Sequence, residues 1–139
     1  MKQSHHMFEI ATHGPGLVPF SSEIGRFVCD SGIKDGVLTL LVQHTSASLV
    51  IQENADPDVR DDLEDFFRRL VSRDTALYRH SMEGPDDMPA HIRSALTATS
   101  LSIPIRDARA ALGTWQGVYL YEHRDRGSVR RVAAHIIGA

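Results

Sequence analysis

The sequence predicts an α+β fold. One compact domain, residues 1–139, holds a mixed, largely antiparallel curved sheet packed against two or three helices. Three observations carry this. The chain has 139 residues, one domain's worth. Apolar runs of strand length alternate with two segments of helical period. The strands and helices interleave without regular βαβ spacing, which argues against a parallel sheet.

Taken in order, residues 6–12 alternate, with Phe8 and Ile10 on one side and Met7 and Glu9 on the other, as in a strand with one wet face. Gly14-Pro15-Gly16 breaks it. Ser21 or Ser22 caps a helix carrying Ile24, Phe27 and Val28 on one stripe and ending at Gly32. Cys29 lies near that stripe and reads as a small core residue. Asp35-Gly36 is a turn, and Val37 to Val42 reads as a strand covered on both faces. The strand is expected to break near His44-Thr45 and resume through Ile51.

Asp56-Pro57 is an N-cap followed by proline at the first helical position. Val59, Leu63, Phe66, Phe67, Leu70 and Val71 then define one buried face. Early carboxylates and late arginines complement the helix dipole. Residues 78–89 are loop-like. Asp86 or Asp87 caps a further helix near Pro89, with Ile92, Ala95 and Leu96 inward. Ser100 to Ile105 is a strand, Arg106-Asp107-Ala108-Arg109 a tight turn, and 111–122 the longest strand pattern. Val129 to Ile137 is the last strand.

Composition narrows the function. A net charge of -3 disfavours nucleic acid as a partner. No apolar stretch approaches the roughly 20 residues of a membrane span, and no secretory h-region opens the chain. A single cysteine makes no internal disulfide. Cytoplasmic placement is the default expectation.

The chemistry concentrates in Gln43 to Pro57, with an imidazole, three hydroxyls, a carboxylate and a carboxamide beside a core strand. Buried polar groups are costly unless hydrogen-bonded, so this segment is expected to wall a site. Tyr78 to Arg93 would form the other wall and Gly113-Thr114-Trp115-Gln116 the floor. His44, Glu53, Asn54 and His91 are the catalytic candidates. Imidazole and carboxylate supply acid–base groups, and the carboxamide both donates and accepts. Thr45, Ser46, His80, Thr114, Trp115, Gln116, Glu122 and Arg130 are the substrate-binding candidates. The glycines around Trp115 suggest close approach of a ligand or backbone, while Trp115 itself leans towards core packing. Arginine suits bidentate phosphate recognition, and alternation sends only one of Arg130 and Arg131 into a site. His44, His80, His91 and His123 are candidate ligands for a divalent metal, zinc on histidines or magnesium through Glu53, Asp56, Asp86 and Asp87.

Gln43-His44-Thr45-Ser46-Ala47-Ser48, Glu53-Asn54, Asp86-Asp87-Met88-Pro89, His91-Ile92 and Gly113-Thr114-Trp115-Gln116-Gly117 with Glu122-His123-Arg124 closely resemble the YjbQ family over essentially the whole chain. The resemblance implies a compact α+β fold and a homotrimer with sites near subunit boundaries. It also implies a weak secondary thiamine-phosphate synthase activity, which joins a pyrimidine pyrophosphate to a thiazole phosphate. One departure stands out: the family usually has glycine where this chain has Ala108. Alanine at a positive-φ turn position costs about 1 kcal/mol.

The leading expectation is therefore a small-molecule transferase of that type, acting on a phosphorylated metabolite. The rivals are a histidine-metal-dependent hydrolase or lyase on such a metabolite and a ligand-binding trimer without turnover.

Overall fold

A computed structural model describes all of residues 1–139 and contains two antiparallel sheets. The larger is built from β1 (Lys2–Ala11), β3 (Gly36–Val42), β5 (Ser100–Arg106), β6 (Arg109–Ala110) and β8 (Val129–Gly138), in the order β1-β8-β3-β5-β6. The smaller is β2 (Gly16–Pro19), β7 (Gln116–Glu122) and β4 (Ala47–Glu53), with β7 central. The expected curved, largely antiparallel sheet is thus present, and every named pairing is antiparallel.

The core lies between the two sheets. Phe8, Leu38, Leu40, Ile103, Val132 and Ile136 face Leu49, Val118 and Leu120 across it. Helix α1 (Ser21–Ser31) closes one end with Phe20, Ile24 and Val28. It ends, as expected, on Gly32 in the left-handed conformation at φ 70. Its N-cap is Phe20 rather than a serine; Ser21 Oγ accepts from Val118 N–H instead and ties the helix to β7. Cys29 is exposed, on the side away from the Ile24–Val28 stripe, so it is not a core residue.

The break at His44-Thr45 is real and has a larger consequence than a bend: β3 belongs to one sheet and β4 to the other. The expectation that β3 is covered on both faces is corrected. Leu38, Leu40 and Val42 are buried, but Leu41 is 47% exposed, because no element covers the outer face of the larger sheet.

Helices α2 (Pro57–Leu70) and α3 (Asp87–Leu96) lie on the outer face of the smaller sheet. Asp56 caps α2, its side chain accepting from Asp58 N–H. No residue within α2 is fully buried, and Phe66 and Leu70 are exposed. The helix rests on the rim of a three-stranded sheet, too narrow to cover its whole stripe, and meets it through Phe67 edge-on to Tyr121. In α3 the inward residues are Asp87, Ala90, Arg93 and Ser94, not Ala95 and Leu96, which are exposed. Charge pairing decides this, since Arg93 is buried against Glu64 of α2. Asp86 is the N-cap of α3, but its side chain is bonded to Arg124 instead of the helix.

The long strand expected over 111–122 is shorter. Gly113 to Trp115 form a turn before β7, closed by Gln116 N–H to Gly113 O and by Gly113 N–H to Gln116 Oε1. The hairpin turn between β5 and β6 has Asp107 at φ 51 and Ala108 at φ 60, two left-handed residues as a type I′ turn requires.

Candidate functional site

The first turn of α3 sets out a donor pair. Asp87 and His91 are four residues apart and share a helix face. The preceding loop folds His80 over them. Asp87 Oδ2 lies 2.6 Å from His80 Nε2 and 3.1 Å from His91 Nε2. One ligand atom from each of the three lies within 4.8 Å of the others. Asp87 Oδ1 accepts from Arg124 Nη1 at 2.7 Å, which fixes the carboxylate plane. Burial alone would raise the Asp87 carboxyl. The His80 hydrogen bond and the charges of Arg124 and His91 outweigh it and hold the pKa below the ordinary value.

His91 carries the chemical information. Its Nδ1 is 2.9 Å from the backbone oxygen of Thr45, which can only accept. The proton therefore sits on Nδ1, and in a neutral ring the lone pair of Nε2 faces the Asp87 carboxylate. Two lone-pair groups at 3.1 Å call for a cation between them, a proton or a metal ion. An imidazole that donates to a main-chain carbonyl and turns its other nitrogen to a metal is a common metal-ligand arrangement. Two imidazoles and a carboxylate match the donor preferences of zinc better than those of magnesium.

His44 stands beside this group without joining it. Its Nε2 accepts from Arg131 N–H at 2.8 Å, so Nδ1 carries the proton. Burial first, then the Arg130 charge, lower its pKa and keep it neutral. With Thr45, His91, Ser94 and Thr99 it lines a cleft of about 240 Å³. Ser46, Arg124, Arg126, Ser128 and Arg130 line a basic groove of about 230 Å³. Ser46 Oγ accepts from Arg130 Nη2 at 2.9 Å.

The other sequence candidates lie elsewhere. His123 is absent from the His80–Asp87–His91 group; it is 2% exposed, with Nε2 2.8 Å from Ser48 Oγ. Glu122 is fully buried and bonded to Arg130, Thr12 and two backbone amides, so it meets protein rather than solvent. Glu53, Asn54, Thr114, Trp115 and Gln116 cluster at the far end of β4 from Thr45, roughly 20 Å away at about 3.3 Å per residue. The GTWQ segment is therefore not a floor beneath the histidines of the same chain. Trp115 is 64% exposed rather than packed in the core. A Cβ at Gly117 would meet Tyr119 Cε2 at 3.0 Å and Asn54 Cβ at 3.1 Å, so the close approach there is protein packing. Asp87 and Arg124 join the site although neither is among the catalytic or substrate-binding candidates. The Asp87-x-x-x-His91 spacing on a helix was the available signal.

The model of the family described as "UPF0047 protein YjbQ-like" matches residues 6–139. The chain belongs to the YjbQ family. A UPF0047 protein of Synechocystis is 57% identical over 137 residues, covering 99% of this chain and 93% of the relative. The UPF0047 protein YjbQ of Escherichia coli is 52% identical over 103 residues, 74% of each chain. Among solved structures, a YjbQ/UPF0047 protein of Clostridium acetobutylicum superposes with a TM-score of 0.85 at 31% identity, over 95% of this chain and 99% of that one. A protein of Aeropyrum pernix reaches 0.88 at 23% identity over 98% and 99%, a likeness of fold.

Proposed function

We propose that this YjbQ-family protein is a divalent-metal-dependent enzyme acting on a small phosphorylated metabolite, with His80, Asp87 and His91 holding the metal. The observation that carries the reading is the lone pair of His91 Nε2 turned towards Asp87, fixed by the Nδ1–H bond to Thr45 O. A bound zinc ion would supply an acidified water and polarise an oxygen of the substrate. The protein's own groups do the rest. Arg124 orients Asp87. His44 offers Nδ1–H into the cleft that His91 lines. Arg124, Arg126 and Arg130 beside Ser46 present guanidinium groups along a groove suited to phosphate. Hydrolysis of such a metabolite, or elimination from it, is the reaction class. Protein purified without a histidine tag should contain about one zinc per chain, and Asp87→Asn should lose it. A wild-type content far below that removes the proposal.

The second reading is a transferase of the thiamine-phosphate synthase type, favoured by the three-arginine groove, which could hold a pyrophosphate. Incubating both substrates with magnesium and finding no product above a His91→Ala control would end it. We also propose a homotrimer assembled through the uncovered face of the larger sheet, where Leu41 and Met7 are exposed. No helix is long and apolar enough to cross a membrane. An exposed lone cysteine fits the reducing cytoplasm, where we place the protein.

A further inference from the structure

The proposed metal group has a different hollow on each side. Arg124, which lines the basic groove, donates to Asp87 Oδ1. The other oxygen of Asp87 faces His91, which lines the His44 cleft. The segment His44-Thr45-Ser46 runs between the same two hollows, with Ser46 in the groove and His44 and Thr45 in the cleft. Groove and cleft share no lining residue.

Their charges differ. Three guanidinium groups line the groove. The cleft is lined by His44, Thr45, His91, Ser94, Ala95 and Thr99, with no carboxylate, lysine or arginine among them. Ser94 Oγ donates to Ala47 O at 3.0 Å. The groups left for a ligand are His44 and the hydroxyls of Thr45 and Thr99.

His44 is held to one role there. A backbone N–H only donates, so the 2.8 Å bond from Arg131 N–H occupies the lone pair of His44 Nε2. A second ring proton would break that bond, and burial and the Arg130 charge oppose it as well. Nδ1 keeps its hydrogen. The ring is therefore a fixed, neutral donor for an oxygen lone pair, not a general base. An ionised group would exchange water for a cleft without an opposite charge, which costs free energy, whereas a hydroxyl or carbonyl meets matching partners. Resting on the metal-and-phosphate reading above, we infer that this cleft holds the uncharged, oxygen-bearing end of the phosphorylated substrate. His44 Nδ1–H is its specificity contact, and the phosphate lies in the arginine groove.

Calorimetric titration of the zinc-loaded, full-length protein tests this, with methyl phosphate and ribose 5-phosphate as probes. Both carry a phosphate monoester, and only the second adds uncharged hydroxyls. Ribose 5-phosphate is expected to bind about tenfold more tightly, and His44→Phe, checked for folding by circular dichroism, should erase the difference. Equal affinities in wild type overturn the inference. So does a preference that survives in folded His44→Phe, and so does silence with both probes. Should the variant not fold, the His44 Nδ1–H resonance of wild type decides: it must shift with ribose 5-phosphate and stay with methyl phosphate. A full zinc content without the preference overturns the cleft assignment alone, whereas a zinc content far below one per chain overturns the metal reading with it.

Discussion

Arg130 is held in the interior by Glu122. Its Nε donates to Glu122 Oε2 at 2.8 Å and its Nη2 to Oε1, while Thr12 Oγ1 donates to Oε2 at 2.7 Å. The pair joins β7 of the smaller sheet to β8 of the larger. Removing one partner leaves the other buried and unpaired. Glu122→Gln is expected to cost about 3–5 kcal/mol, read from urea unfolding. A loss under 1 kcal/mol would mean that the pair does not fasten the sheets.

Acid stability follows from the same region. Burial would raise Glu122, but the Arg130 and Thr12 hydrogen bonds outweigh it and lower its pKa. Burial, with Arg93 and Arg130 nearby, pushes His123 down to about 3 from 6.5. Both groups bind more protons unfolded than folded. Their contributions are therefore complete above the unfolded pKa values and are lost as pH falls. For His123 the window runs from 6.5 towards about 3. One proton gives a slope of at most about 1.4 kcal/mol per pH unit there. His123→Asn should flatten the stability–pH profile between those limits, and an unchanged slope would contradict a neutral buried ring.

Arg124 reaches the proposed metal ligands through Asp87 Oδ1. Arg124→Met should weaken zinc binding about 10–100-fold, as loss of a group orienting a ligand does. Competition with a chelating dye measures it. Equal affinity in wild type and variant would place Arg124 outside the metal site.

Ala108 sits at φ 60 in the β5–β6 turn. The left-handed conformation costs a non-glycine residue about 1–2 kcal/mol, and glycine's looser unfolded chain gives back about 0.4–1 kcal/mol. Ala108→Gly should therefore stabilise the protein by up to about 1.6 kcal/mol. Thermal unfolding checks the sign.

Leu41 projects from the uncovered face of the larger sheet. If three copies bury that face, Leu41→Lys should shift the mass in light scattering from trimer to monomer while the circular dichroism of the fold persists. A wild-type monomer would remove the assembly.

Local signals written in consecutive residues were enough for much of this molecule. Asp56-Pro57 started α2, Gly32 stopped α1, Asp35-Gly36 opened β3, and the turn at Asp107-Ala108 and the break at His44-Thr45 were all legible, because capping and φ preference act over a few residues. His91 and His80 were visible as candidates because an imidazole carries its acid–base and metal-binding chemistry in the residue itself. What the sequence left open was which distant groups meet. Only the folded chain set β3 and β4 in different sheets, put GTWQ at the far end of β4, tied Glu122 to Arg130 and gave Asp87 two imidazoles. Those outcomes depend on strand order and on which charges find partners once water is excluded, and neither is encoded in a local window.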